Sequence, residues 1–156
     1  MKRKKFHLSH SVIGTILFVI VEGVFLTAIA PVPLRIALIL LAALAGGIAH
    51  IVVATEVIEE VRNARHLLVL LSAVVAIFVA FFAFQYWFLI SSAPGSFPGL
   101  GTGGTDLLLH STMIFVFNPI FLPATAAARL LLLINTFGAL ALVLFILQNV
   151  WQIRGK

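Results

Sequence analysis

The sequence predicts an all-α integral membrane protein with four transmembrane helices and one shorter, re-entrant helix. Three observations carry that prediction. The chain of 156 residues is 62% hydrophobic and only 10% charged, more apolar surface than a soluble domain of this size can hide. Four apolar runs, at 11–30, 34–55, 67–90 and 125–151, each reach the ~20 residues that a helix rising ~1.5 Å per residue needs to cross a ~30 Å hydrocarbon core. A fifth run, at 106–117, lies between the third and fourth and is too short to cross.

The first run follows Met1-Lys2-Arg3-Lys4-Lys5. It is too long for the apolar core of a cleaved leader, and it contains Glu22. Pro31-Val32-Pro33 marks an outer turn, because proline cannot extend a helical ladder. The second run carries Ala42, Ala43, Ala45, Gly46, Gly47 and Ala49. Such small residues let helix backbones approach closely in lipid, so this helix is expected to pack against protein on one face. It runs out at Glu56, Glu59, Glu60 and Arg62, a polar helix end that turns near Asn63.

The third run gathers Phe81, Phe82, Phe84, Tyr86, Trp87 and Phe88 towards its outer end, where amphipathic aromatics suit the headgroup interface. Residues 91–105 are glycine-rich, contain Pro94 and Pro98, and carry no charge, which predicts an irregular outer loop. Thr105 or Asp106 is the expected N-cap of the short helix, and an acid there suits the helix dipole. That helix should break before Pro119, because the residue before a proline disfavours the α region. Residues 120–123 then return the chain outward to the fourth run.

The net charge is +5. Lys2, Arg3, Lys4, Lys5, Arg62, Arg65, Arg154 and Lys156 fall on one side of a four-span chain, leaving only Arg35 and Arg129 on the other. This asymmetry predicts that both termini are cytoplasmic. The basic residues then orient the chain and meet membrane lipids with anionic heads; they are not a nucleic-acid surface. The absence of cysteine excludes disulfides and thiolate chemistry.

Short helix, breakpoint, extended strip, proline and long helix form the layout of a re-entrant pore loop. Non-helical backbone at membrane depth is tolerated only where protein buries it or it lines a watery cavity. A ring of identical subunits supplies such a place. Asp106 before the short helix, the run Pro123-Ala124-Thr125-Ala126-Ala127-Ala128-Arg129-Leu130-Leu131, and Gly138 together resemble the pore module of small bacterial four-span potassium-channel-like proteins. The resemblance covers roughly 67–151. It implies a potassium-channel-like homotetramer in a bacterial inner membrane, carrying a permeant monovalent cation and needing no cofactor. Residues 1–10 become a basic cytoplasmic N-terminus, 11–66 two peripheral helices, and 67–156 the module of outer helix, pore helix with loop, and inner helix. Asn135 takes the position of a cavity polar group on the inner helix, and Gly138 that of its hinge.

The chain departs from the family at the filter. The family's threonine-valine-glycine-tyrosine-glycine stretch falls on Phe115, Val116, Phe117, Asn118 and Pro119. A stacked-carbonyl filter uses glycines for unusual backbone angles. Proline fixes φ near −65°, and phenylalanine resists positive φ. The expectation is a channel scaffold without a potassium-selective filter, weakly selective or unusually gated, with Thr112 the nearest hydroxyl. Phe115 and Phe117 form a hydrophobic constriction, or Asn118 rings a wider pore. The alternative is a non-conducting membrane scaffold or subunit that keeps the channel fold. The bland account of the two phenylalanines is helix or lipid packing.

Two further residues are candidate pH or proton sites. Glu22 is an acid inside a span, which is costly there and often functional; snorkelling or pairing with a hydroxyl is the plainer account. His110 lies in the short helix, and histidine changes charge between about pH 5 and 8; a neutral histidine behind the pore is the plainer account. His50, Glu56, Glu59, Glu60 and His66 match no metal spacing. Gln148, Asn149 and Gln152 would surround an inner mouth if the fourth span lines a pore. No nucleophile elbow or phosphate loop is present, so an enzyme is not expected.

Overall fold

The computed structural model describes residues 20, 23, 31–61 and 63–154. Within them every regular element is a helix, without strands. Four helices follow in order: α1 (Val32–Glu60), α2 (Ala64–Ser92), α3 (Gly104–Phe115) and α4 (Ala126–Arg154). Three of them contain segments long and apolar enough to cross a membrane, Val32–Glu59, Arg65–Ser92 and Ala126–Asn149. The chain is an integral membrane protein. Of the first predicted span only Ile20 and Gly23 are described, and both are helical. Gly23 lies beside α2, where an added Cβ would stand 3.5 Å from Phe88 Cζ. Glu22 lies outside the described residues.

The local signals explain most boundaries. Pro33 does not mark a turn, as expected above, but sits in the first turn of α1, where a missing N–H costs nothing. Pro31 is the N-cap residue, and its carbonyl accepts from Leu34 N at 3.0 Å and Arg35 N at 3.1 Å. Asn63 makes the α1–α2 turn: its side chain caps α2 by accepting from Arg65 N (3.0 Å) and His66 N (3.3 Å). For α3, the expected caps Thr105 and Asp106 are replaced by Gly103, without a side-chain cap bond, and Asp106 lies in the first turn.

α1 packs against both α2 and α4, and α3 is held chiefly by α2. The small residues of α1 are its contact face. A Cβ on Gly46 would collide with the Phe81 ring, so only glycine lets that ring seat. His50 extends the same face. Its Nδ1 donates to the Gly46 carbonyl at 2.7 Å, and its ring lies 5.5 Å from Phe78 and 5.6 Å from Phe81. Phe78, at the middle of α2, is fully buried. From the other side Gly138 makes room for it, since a Cβ there would come 3.3 Å from Phe78 Cζ. The core is thus an aromatic column on α2 with glycine-bearing helices on both flanks.

Candidate functional site: the short helix and the strip after it

The short helix ends against the middle of α2. Ser111 Oγ donates to the Val79 carbonyl at 2.8 Å, and the Phe115 ring lies 5.8 Å from Phe78. The chain then climbs back to the outer loop. Ala124 N donates to the Ser96 carbonyl at 2.9 Å, just beyond the C-terminus of α2. Thr125 Oγ1 donates to Ser96 Oγ at 3.4 Å and accepts from Ala128 N at 3.2 Å, capping α4. Residues 104–125 therefore descend from one end of α2 to its midpoint and return.

The break after α3 has a definite geometry. Asn118 N donates to the Met113 carbonyl at 2.8 Å, and Phe117 N to the Ile114 carbonyl at 2.9 Å. This is the Schellman pattern, which needs a left-handed residue at its C′ position, usually glycine. Here that residue is Phe117, with φ of 61°. The expectation that phenylalanine would refuse positive φ is overturned at this position. Pro119 keeps Asn118 out of the helix, so the chain must reverse at Phe117. A left-handed residue costs about 1–2 kcal/mol. Carbonyls orphaned away from water cost several kcal/mol each, so the two hydrogen bonds outweigh the strain.

Beyond this cap the backbone is bare. Among the described residues, no carbonyl from Val116 to Leu122 accepts a hydrogen bond, and the N–H groups of Ile120, Phe121 and Leu122 donate none. The side chains are open as well. Val116, Phe117, Ile120 and Leu122 are exposed, Leu122 at 71%, and so are Thr112, Asn118 and Pro119. Thr112 Oγ1 donates to the Leu108 carbonyl of its own helix at 2.7 Å. Phe115 is half-buried. The five filter-position residues, 115–119, form one continuous stretch, with only Phe115 tucked against the core, and Thr112 stands one turn before it.

The inner-helix candidates lie elsewhere. Asn135 is fully buried, and its Nδ2 donates to the Tyr86 hydroxyl at 3.1 Å, so within a single chain it faces α2 and not a cavity. α4 runs unbroken through Gly138. Gly47 and Gly138 help line an apolar groove of about 340 Å³ between α1 and α4. Asn149 Nδ2 donates to the Phe145 carbonyl at 2.8 Å, and Gln148 is exposed. The side chain of Gln152 is outside the described set. No group of three metal-ligating side chains occurs among the described residues.

Sequence reading missed the supports of this region. Ser111 carries the tie to α2, and nothing in its sequence context announced it. His110 is fully buried, with neither ring nitrogen hydrogen-bonded among the described residues. It lies within ring contact of Tyr86, Phe97 and Phe121, at 4.6, 5.0 and 5.7 Å. No protein-family model matches the chain, and neither a curated protein nor a solved structure matches it.

Proposed function

We propose that the chain is a potassium-channel-like pore protein whose strip 116–123 lines a water-accessible axis between identical subunits. The supporting observation is the run of carbonyls from Val116 to Leu122, none of which accepts a hydrogen bond among the described residues, beside the midpoint of a membrane-crossing helix. Lipid cannot satisfy those carbonyls, so water or neighbouring protein must. A homotetramer with the α4 helices innermost brings four strips together. On α4 the exposed Leu130, Leu133, Phe137 and Leu144 supply an apolar face for such contacts. The membrane is a bacterial inner membrane, with the α1–α2 turn and the basic ends of the chain cytoplasmic.

The pore is weakly selective for a monovalent cation. A left-handed Phe117 followed by Pro119 does not give a column of stacked carbonyls, and Asn118 and the phenylalanine rings take the narrow position instead. Planar-bilayer recordings of the purified protein test this. Unitary currents are expected, enlarged by Phe117→Ala and more cation-selective with Asn118→Asp. A verified tetramer that passes no current across voltage and pH favours the second reading, a non-conducting scaffold, for which the exposed apolar side chains of Val116 and Phe117 speak.

A further inference from the structure

His110 is where every element that positions the strip meets. The ring belongs to α3. Tyr86 comes from α2, Phe97 from the outer loop and Phe121 from the strip. Tyr86 is itself tied to Asn135 of α4. The other buried histidine among the described residues, His50, has a carbonyl partner for one nitrogen; His110 has none for either. Among the described residues the ionisable groups around it are few. α2 presents Tyr86, the outer loop 93–103 and the strip 116–123 contain none, and α4 carries Arg129, exposed on its first turn, and Arg154 at its far end. On α3 itself, Asp106 is exposed one turn earlier, with its carboxylate against Gly101.

We infer that His110 is a proton-operated latch: adding a proton to this ring releases α3 and Phe121 from α2 and moves the strip. A neutral imidazole has one N–H, and the steep ring contacts let it lie against an aromatic face. The imidazolium has two N–H donors and a full charge. Its cage offers ring faces instead of lone pairs, and no acid among the described residues stands beside it, so the added donors draw in water. The wall that yields is Phe121, half-buried on a segment without backbone hydrogen bonds of its own. The latch rests on the proposed pore only in its consequence, a change in flow along the axis; the movement itself is independent of conduction.

The native chain has no cysteine, so Asn118→Cys carries a single spin label on the full chain in lipid vesicles. Collision of the label with a water-soluble nickel chelate is followed as pH falls from about 8 to 4, because burial lowers the His110 imidazole from its ordinary value to about 4. The expected result is a several-fold, reversible rise that is absent in His110→Phe and His110→Gln. A rise that survives both substitutions, or no rise in the parent, overturns the latch. Should neither variant fold, nitrogen NMR of the parent decides: a His110 ring that keeps one protonation state while the label moves overturns it, and titration in step with the label supports it. Currents recorded from the same preparations separate the two ideas. A label that responds in a protein without current removes the pore and keeps the latch, and current with a silent label does the reverse.

Discussion

The crossing of α1, α2 and α4 and the hairpin of α3 with its strip lie side by side at the same depth, and they solve opposite problems. In the crossing every backbone group is inside a helix, and contact comes from shape: Gly46 under Phe81, Gly138 beside Phe78. In the hairpin α3 packs through His110 and its ring neighbours, but the strip beyond it is mostly exposed, and among the described residues no carbonyl from Val116 to Leu122 accepts a hydrogen bond. The first region is complete within one chain. The second is held in place by a few polar ties, Ser111 to Val79 and Ala124 to Ser96, and exposes what a lone chain in lipid cannot satisfy. A membrane protein keeps such a segment where it faces water or copies of itself.

The sharpest way to break this contrast is to spoil the crossing. Gly46→Val places side-chain atoms where the Phe81 ring sits. Overpacking of this kind costs about 1–3 kcal/mol, and here α1 and α2 must move apart to absorb it. Gly47→Ala is the control, since its Cβ meets the nearest described atom, on Phe82, only at 4.0 Å. Unfolding in mixed micelles should show a large loss for the first and little change for the second. Equal effects would mean that the crossing is not packed through Gly46.

An effect of opposite sign is expected at the strip. Phe117→Gly removes the left-handed penalty of about 1–2 kcal/mol and keeps both backbone bonds of the cap, so the protein should gain stability in the same assay. Phe117→Val should lose it, because a β-branched residue tolerates that backbone less well. If glycine destabilises, the phenylalanine ring is making contacts with a neighbouring copy that outweigh the strain. That outcome would sharpen the picture of a shared axis.

The two regions were not equally legible in the sequence. Hydropathy and length mark the three described spans and the short helix, because crossing a bilayer demands a fixed length of apolar helix. Asn63 announces the turn it caps, and the alanines and glycines of α1 announce a packing face. The partner of that face, Phe81, is invisible until the helices are set side by side. At the hairpin the local rules mislead. Propensity forbids positive φ at Phe117, yet Pro119 and the orphan carbonyls of Met113 and Ile114 impose it. His110 reads as one histidine in an apolar run, and its cage is drawn from residues on three other segments. Pro33 reads as a break but falls in a first turn, where it is harmless.

The smallest expected effect concerns how the hairpin is anchored. Ser111→Ala removes one hydroxyl bond to the Val79 carbonyl, for about 0.5–1.5 kcal/mol. The Val79 carbonyl lies in the interior of α2, where the helix ladder also supplies it with a donor, so no buried acceptor is orphaned and the global loss is near the low end. The local consequence should be larger than the global one. Ser111 is the polar tie between the foot of α3 and the middle of α2, so amide exchange should accelerate through the last turn of α3 and the cap at Phe117 and Asn118. Exchange in α1 and at the Gly46 crossing should stay as it was. Uniform acceleration along the chain would mean that the hairpin and the crossing open together, and the division between a self-sufficient core and a separately tethered strip would fail.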